Sequence, residues 1–405
     1  MDIPSQWIYN KMISEAASVW YVLANDEKET AILVKAPTPS LKALISGCPF
    51  KLIFGKSKSY LCTGAIIADV PDAPIMFSGV QRESEEHNAL SRILHERNAP
   101  LFLFNEMDIC VAWTRISFTE QDAEDTLNLI GKISDLYVGP FTPDASHALD
   151  CFEYTQDARL NHPNTSQIPC AELIPIVAPW TGVKKYFYSS SSYQSLEISD
   201  PNEGNSLENT IWATLTSPFP KSLYKNATIL NGQKKREFTD VFAFYTHGSF
   251  LVEAKALSVL SSGFQRIQSR RIAGVQKQVK KAIGQLVGAC KDFFDGKEIY
   301  STDNTLIEVD RSIPPHCIIL INELTPSGNW DEIVDLLVGA MQQTGAFFHL
   351  LDLQELIMLL KGSSGHPELF DYNLMQRTKL FVDAKSVFIQ SQPPDTNEKL
   401  QKNAY

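Results

Sequence analysis

Long apolar runs are missing from this chain. No stretch approaches about 18 consecutive apolar residues, so no transmembrane helix and no membrane partner are expected. Met1–Ala16 has no basic segment leading into an apolar one, and the sequence predicts no secretory signal. Cysteines are few and unpaired in pattern. The seven are Cys48, Cys62, Cys110, Cys151, Cys170, Cys290 and Cys317, with no C-x-x-C and nearest neighbours fourteen residues apart. This argues against a disulfide framework or structural zinc and predicts buried thiols in a reducing, cytoplasmic setting. The eight histidines form no H-x-x-x-H. There is no Walker-type glycine loop and no G-x-S-x-G elbow, so NTPase and α/β-hydrolase chemistry have no support. Lys361-Gly-Ser-Ser-Gly-His-Pro follows a predicted helix instead of opening one and reads as a linker. Excess positive charge is also lacking: 36 basic residues face 47 acidic ones, a net charge of −11. Any basic site must therefore be local.

What is present is an ordinary globular composition. The 405 residues are 44% apolar and 20% charged, enough for two or three domains with real cores. Residues 1–150 read as a strand-rich α+β module. A hairpin is predicted over Ser18–Leu23 and Thr30–Ala36, and strands over Lys51–Gly55, Leu61–Asp69, Pro74–Ser78, Leu101–Phe104 and Ile109–Phe118. Helices are predicted over Glu85–Glu96 and from a Thr119 cap to about Leu136. Residues 151–204 read as a junction, marked by the serine run within Tyr188–Tyr193 and by Asp200-Pro-Asn-Glu-Gly.

Residues 205–391 alternate strands and helices, the pattern of an α/β domain. A helix is expected over Ser206–Thr216, capped by Asn205 or Ser206. Strands are expected over Tyr224–Leu230, Glu237–Thr246 and Ser249–Leu257. Val275, Val279, Ile283, Leu286, Cys290 and Phe293 form one apolar stripe, a helix over Val275–Phe294. Then come a strand at Cys317–Ile321, a helix at Trp330–Gln343, a strand at Phe347–Leu351 and a helix at Leu353–Lys361. Phe381–Ile389 has no clear period. Residues 392–405 are polar and read as a disordered tail.

The segment from Asp240 to Lys255 carries the chemistry. Two apolar runs meet at His247-Gly248. A two-residue turn there pairs Thr246 with Ser249, Asp240 with Lys255, and Phe242 with Glu253. Side chains alternate along a strand, so Asp240, Glu253 and Lys255 are expected on one face, with Glu253 diagonal to Asp240. The neighbours are apolar on both faces, as in strands buried on both sides. Two carboxylates there repel, and a divalent cation removes the repulsion. Mg²⁺ suits such oxygen ligands.

Asp240 followed by Glu253-Ala254-Lys255 resembles the PD-(D/E)XK nuclease superfamily, with the restriction-endonuclease-like fold. The resemblance implies a mixed sheet flanked by helices: a helix, a three-stranded antiparallel meander, a crossover helix and a further strand. It implies Mg²⁺, replaceable by Mn²⁺, on Asp240, Glu253 and the Ala254 carbonyl, with Lys255 positioning the attacking water. Glu208 would match an extra acidic ligand, and Gln278 and Lys281 the polar residues of the later helix. Thr239 departs from the motif's proline. The implied activity is phosphodiester hydrolysis, with DNA favoured as substrate. Bacterial restriction or phage defence follows by analogy, with a homodimer for double-strand cuts. The N-terminal half is read as a sensor, a dimerisation unit or a recognition module, a place for an activating partner or ligand. The competing expectation is an inactive module that only binds nucleic acid or protein.

Three other acid-x-Lys triplets occur, at Asp26, Asp295 and Asp383. Asp383-Ala-Lys385 is the serious rival, but the stretch after Asp371 has no turn signal and reads as helix. Local charge favours Asp240. Residues 221–281 hold twelve basic residues against three acids, a balance of +9. Arg266, Arg270, Arg271, Lys277 and Lys281 are the expected phosphate contacts. His247 is read as a turn residue and His349, in an apolar run, as a satisfied core histidine.

Overall fold

The computed structural model describes residues 5–25, 27–160, 162–189, 192–232, 234–256, 259–262 and 264–391. The predicted tail 392–405, Asp26 and Gly263 lie outside them. The chain is mixed α/β and divides into two compact units. The first is Met1–Val183 with Gly263–Arg266, and the second is Lys184–Ser262 with Ile267–Tyr405. No helix among the described residues is long and apolar enough to cross a membrane.

In the first unit, the hairpin Ser18–Ala24/Glu29–Lys35 opens a sheet. It continues through Asn98–Phe104, parallel to the second hairpin strand, and Cys110–Ser117, antiparallel to the last. A second, antiparallel sheet runs Ile75–Gln81, Tyr60–Ile67, Phe50–Ser57, Cys170–Leu173. The stretch read as a junction thus supplies strands here: Thr181–Gly182 also pairs with Trp113 and Ala112. The helix Pro143–Gln156, capped by Thr142 Oγ1 accepting from the Ala145 amide at 3.1 Å, runs across residue 150. The division therefore falls at 183/184. Thr119 caps a helix as expected, but that helix is only Glu120–Ile130. Gly131 ends it at φ +68°, a conformation that favours glycine.

In the second unit, α1 (Glu203–Leu215) begins three residues before the sequence suggests, because Asn202, not Asn205 or Ser206, caps it. The strands β1 (Leu223–Asn231), β2 (Lys234–Tyr245) and β3 (Gly248–Lys255) follow. Next is α2 (Gln268–Phe294), whose first turns carry no apolar stripe to betray them. Then come β4 (Ile299–Tyr300), β5 (Leu306–Ile307), β6 (His316–Ile321), α3 (Asp331–Thr344), β7 (Phe347–Asp352), α4 (Leu353–Ser363) and α5 (Pro367–Ala384). The sheet order is β5-β4-β1-β2-β3-β6-β7, with β3–β6 and β6–β7 parallel and the rest antiparallel. The crossover from β3 to β6 contains α2. The α2 stripe Val275, Val279, Ile283, Leu286, Cys290 and Phe293 is buried in one core with Phe242, Leu251, Cys317 and Ile319. The segment Phe381–Ile389, which has no clear period in the sequence, is the end of α5 and an irregular stretch. Asp383 is therefore helical and Lys385 is the left-handed cap at φ 48°, so the rival triplet is no strand.

The hairpin turn differs from expectation by one residue. Tyr245 pairs with Gly248, and the turn is Thr246-His247. Phe242 consequently faces Leu251, not Glu253. Gly248 is needed for space instead of for turn geometry. A Cβ there would lie 2.7 Å from Asp371 Oδ2 and 2.8 Å from the Tyr245 ring. That carboxylate accepts from Tyr245 Oη at 2.7 Å and bonds His316 Nε2 at 3.1 Å. His316 Nδ1 in turn meets His349 Nε2 at 2.9 Å, so His349 is the satisfied core histidine its apolar surroundings suggest. Burial holds the His349 imidazole well below its usual pKa. Gly248→Ala is expected to destabilise the protein by about 1–3 kcal/mol, because the tethered Tyr245–Asp371 pair cannot yield without losing its bonds. A urea unfolding midpoint equal to the parent's would contradict this.

Candidate active site

The β2–β3 ladder ends at Val241↔Val252, and side chains take over where it opens. Thr239 Oγ1 donates to the Val252 carbonyl at 2.7 Å, and Asp240 Oδ2 accepts from the Ala254 amide at 2.7 Å. Continuing the register sets Asp240 directly across from Glu253, where the sequence reading set it across from Lys255. The offset is two residues, and an even shift preserves the face. Asp240, Glu253 and Lys255 therefore meet as expected. Lys255 Nζ donates to Glu253 Oε2 at 2.7 Å and stands 3.7 Å from Asp240 Oδ2.

These side chains are poorly solvated: relative exposures are 13% for Asp240, 4% for Glu253 and 12% for Lys255. One ammonium cannot balance two carboxylates, so a charge of −1 is left when both are ionised. Glu253 carries the strain. Burial first, and then the Asp240 charge, push its carboxyl up to about 7 against the opposing pull of Lys255.

Around this centre lie further polar groups. Glu208, on α1, pairs with Lys225 Nζ at 3.2 Å, and the same ammonium donates to Asn205 Oδ1 at 2.5 Å and Asn209 Oδ1 at 2.7 Å. Glu237 is raised above the ordinary carboxylate range by desolvation, then by the charges of Asp240 and Glu208. Its proximity follows from an irregularity: β1 pairs Ala227 with Thr239 but Thr228 with Glu237, leaving Phe238 as an extra residue. Phe238 and Thr239 are both buried, and Glu237 and Asp240 flank them. Asn226 lies between Lys225, paired with Val241, and Ala227, in the β1 position across from Asp240. Its Oδ1 is buried with no hydrogen-bond partner among the described residues. Bulges and orphaned amides leave no periodic signal, so neither residue was legible beforehand.

The donor set fits a hard divalent cation in part. Two carboxylates with unbalanced charge and a buried neutral amide oxygen at the neighbouring strand position are the ligand types Mg²⁺ takes, often with only one or two carboxylates. The fit does not extend to Glu208 as a third carboxylate. Among the described residues, no three His, Cys, Asp or Glu side chains gather as metal ligands, and Glu208 is occupied by Lys225.

The other expected residues are scattered. Gln278 and Lys281 are exposed on α2, and no hydrogen bond or ion pair among the described residues joins them to the carboxylates. Arg270 and Lys277 are also exposed on α2, whereas Arg271 is only partly exposed and pairs with Glu323 at 2.6 Å. Arg266 is exposed and belongs with the first unit. The local balance of +9 is thus overstated. Glu208, Asp292, Glu323 and Glu332, all outside residues 221–281, pair with Lys225, Arg236, Arg271 and Lys280.

Comparisons with protein-family models, curated proteins and solved structures give no match to this chain. Glu253→Gln tests the electrostatics of the site directly. Between the ordinary carboxylate value and about 7, folded Glu253 holds a proton that the unfolded chain has lost, so its contribution to stability falls as pH rises through that window. The glutamine variant is expected to exceed the parent by about 1–3 kcal/mol at about pH 8, with the gap closing towards about pH 5. Denaturant titrations at both pH values check this, and a pH-independent difference would refute it.

Proposed function

We propose that the second unit is a Mg²⁺-dependent phosphodiester hydrolase, a DNA endonuclease of the PD-(D/E)XK type. The observation that carries the reading is a buried pair of opposed carboxylates, Asp240 and Glu253, that the single ammonium of Lys255 does not neutralise. The order α1, β1-β2-β3 meander, α2 crossover and parallel β6 supports it, being the order the resemblance implies. Bound Mg²⁺ would polarise the scissile phosphate and make a bound water more acidic. Asp240, Glu253 and the Ala254 carbonyl would hold it, and Mn²⁺ would substitute. Lys255 has three donors, of which Glu253 takes one, so it can also hold an attacking water by hydrogen bonding. Asp240 is fixed for its role by the Ala254 amide, which keeps its second oxygen for the ion. A homodimer and a role in restriction or phage defence extend the same reading.

A specific contact favours a second reading. Lys255 lies against both acids, the arrangement of a structural ion-pair cluster in a module that binds without cutting. Lys255→Ala and Asp240→Asn separate the two. Under the enzyme reading each lowers Mg²⁺-dependent cleavage of plasmid DNA by about 100-fold or more while DNA affinity changes little. Absence of cleavage by the parent chain with Mg²⁺ or Mn²⁺, on double-stranded, single-stranded and RNA substrates alike, decides for the binding module.

A further inference from the structure

The second unit opens with a small two-stranded ribbon outside the seven-stranded sheet. Lys185–Tyr188 pairs antiparallel with Tyr193–Leu196, with Tyr188 opposite Tyr193. Tyr186 and Tyr188 alternate with the less exposed Phe187, so both share the face of Tyr193. The three rings are 52%, 71% and 61% exposed. They form one surface, since the Tyr193 centroid is 6.4 Å from that of Tyr186 and 5.8 Å from that of Tyr188. Isolated exposed aromatics need no explanation, but three adjoining ones on a ribbon too small to be stable alone do.

Basic residues lead into the ribbon. Lys184 Nζ stands 5.8 Å over the Tyr186 ring, and Lys185 follows it. The first acid after them is Glu197, which the continued register sets across from Lys184. The ribbon is also tied to the helix that borders the acidic site. Leu196 is buried, and the Ser195 carbonyl accepts from Asn209 Nδ2 at 3.3 Å. Asn209 in turn accepts from Lys225, the partner of Glu208.

We propose that Tyr186, Tyr188 and Tyr193 form a stacking platform for unpaired bases of a nucleic acid, with Lys184 meeting its phosphates. The inference rests on the nuclease reading and sharpens its substrate class to one with single-stranded nucleotides. Aromatic faces stack on any base and so need no sequence, whereas a duplex hides its base faces within its own stack. The Lys184 ammonium over the Tyr186 ring suits a polyanion.

The test measures fluorescence anisotropy of a labelled oligothymidylate with the full chain in EDTA, where no cleavage intervenes. The Tyr186→Ala/Tyr188→Ala/Tyr193→Ala variant is expected to bind about 30-fold or more weakly, and the corresponding triple phenylalanine variant to bind as the parent does, because the rings and not the hydroxyls act. A duplex of the same length should compete poorly. Circular dichroism of both variants confirms folding, and the phenylalanine variant keeps the comparison valid if the alanine variant unfolds. Unchanged binding by the alanine variant overturns the inference, as does loss of binding in the phenylalanine variant. A change of oligomeric state with unchanged oligonucleotide affinity also overturns it and makes the patch a protein interface. The two readings fail separately. A chain that cuts DNA but binds oligothymidylate independently of the tyrosines loses only the platform, and one that binds through them without cutting loses only the enzyme.

Discussion

Two carboxylates held face to face beside the middle of a buried sheet are the constraint on which the second unit turns. Like charges at that distance and burial repel, and each lost hydration shell adds to the cost. The surroundings answer with one ammonium, one backbone amide and a proton-retaining Glu253. Such a cluster is a poor way to stabilise a fold, since apolar residues of similar volume usually do as well or better. Its cost becomes intelligible if the negative charge has a use, and attracting a cation is the simplest one.

The rest of the unit serves to hold that arrangement still. Buried β6 flanks β3 in parallel, with Ile319 beside Glu253 and Ile321 beside Lys255. The α2 stripe seals the sheet with Val275, Val279 and Leu286. At the far end of β3, the Tyr245–Asp371–His316–His349 network fixes the hairpin, and Phe250 stacks on His316 with centroids 5.4 Å apart. A hairpin pinned at its turn by hydrogen bonds and at its open end by Thr239 and Asp240 has no freedom to slip register.

The same physics separates what was readable from what was not. Apolar periodicity revealed most of the strands and the longest helix, because burial selects residues at a fixed spacing. It missed the helix Pro143–Gln156 and the helices Gln6–Ser14 and Thr38–Ile45, the last two of nine and eight residues being too short to show a period. It also overran Ile130, because acid-rich helical residues and the loop beyond them look alike until a glycine adopts positive φ. Charge counting along the chain misjudged the basic segment for a different reason. Arg236, Arg271 and Lys280 find partners in Asp292, Glu323 and Glu332, and sequence distance says nothing about such pairings.

Alternation along two strands was enough, on its own, to put Asp240, Glu253 and Lys255 on a common face, since a period of two survives any even change of register. Which acid opposes which residue was decided by the tertiary structure, where Gly248 surrendered the turn to make room for Asp371. The Asn226 Oδ1 without a partner among the described residues, the capture of Glu208 by Lys225 and the tyrosine ribbon were likewise settled there. Each depends on segments brought together across the fold, and a one-dimensional pattern records only what neighbours along the backbone share.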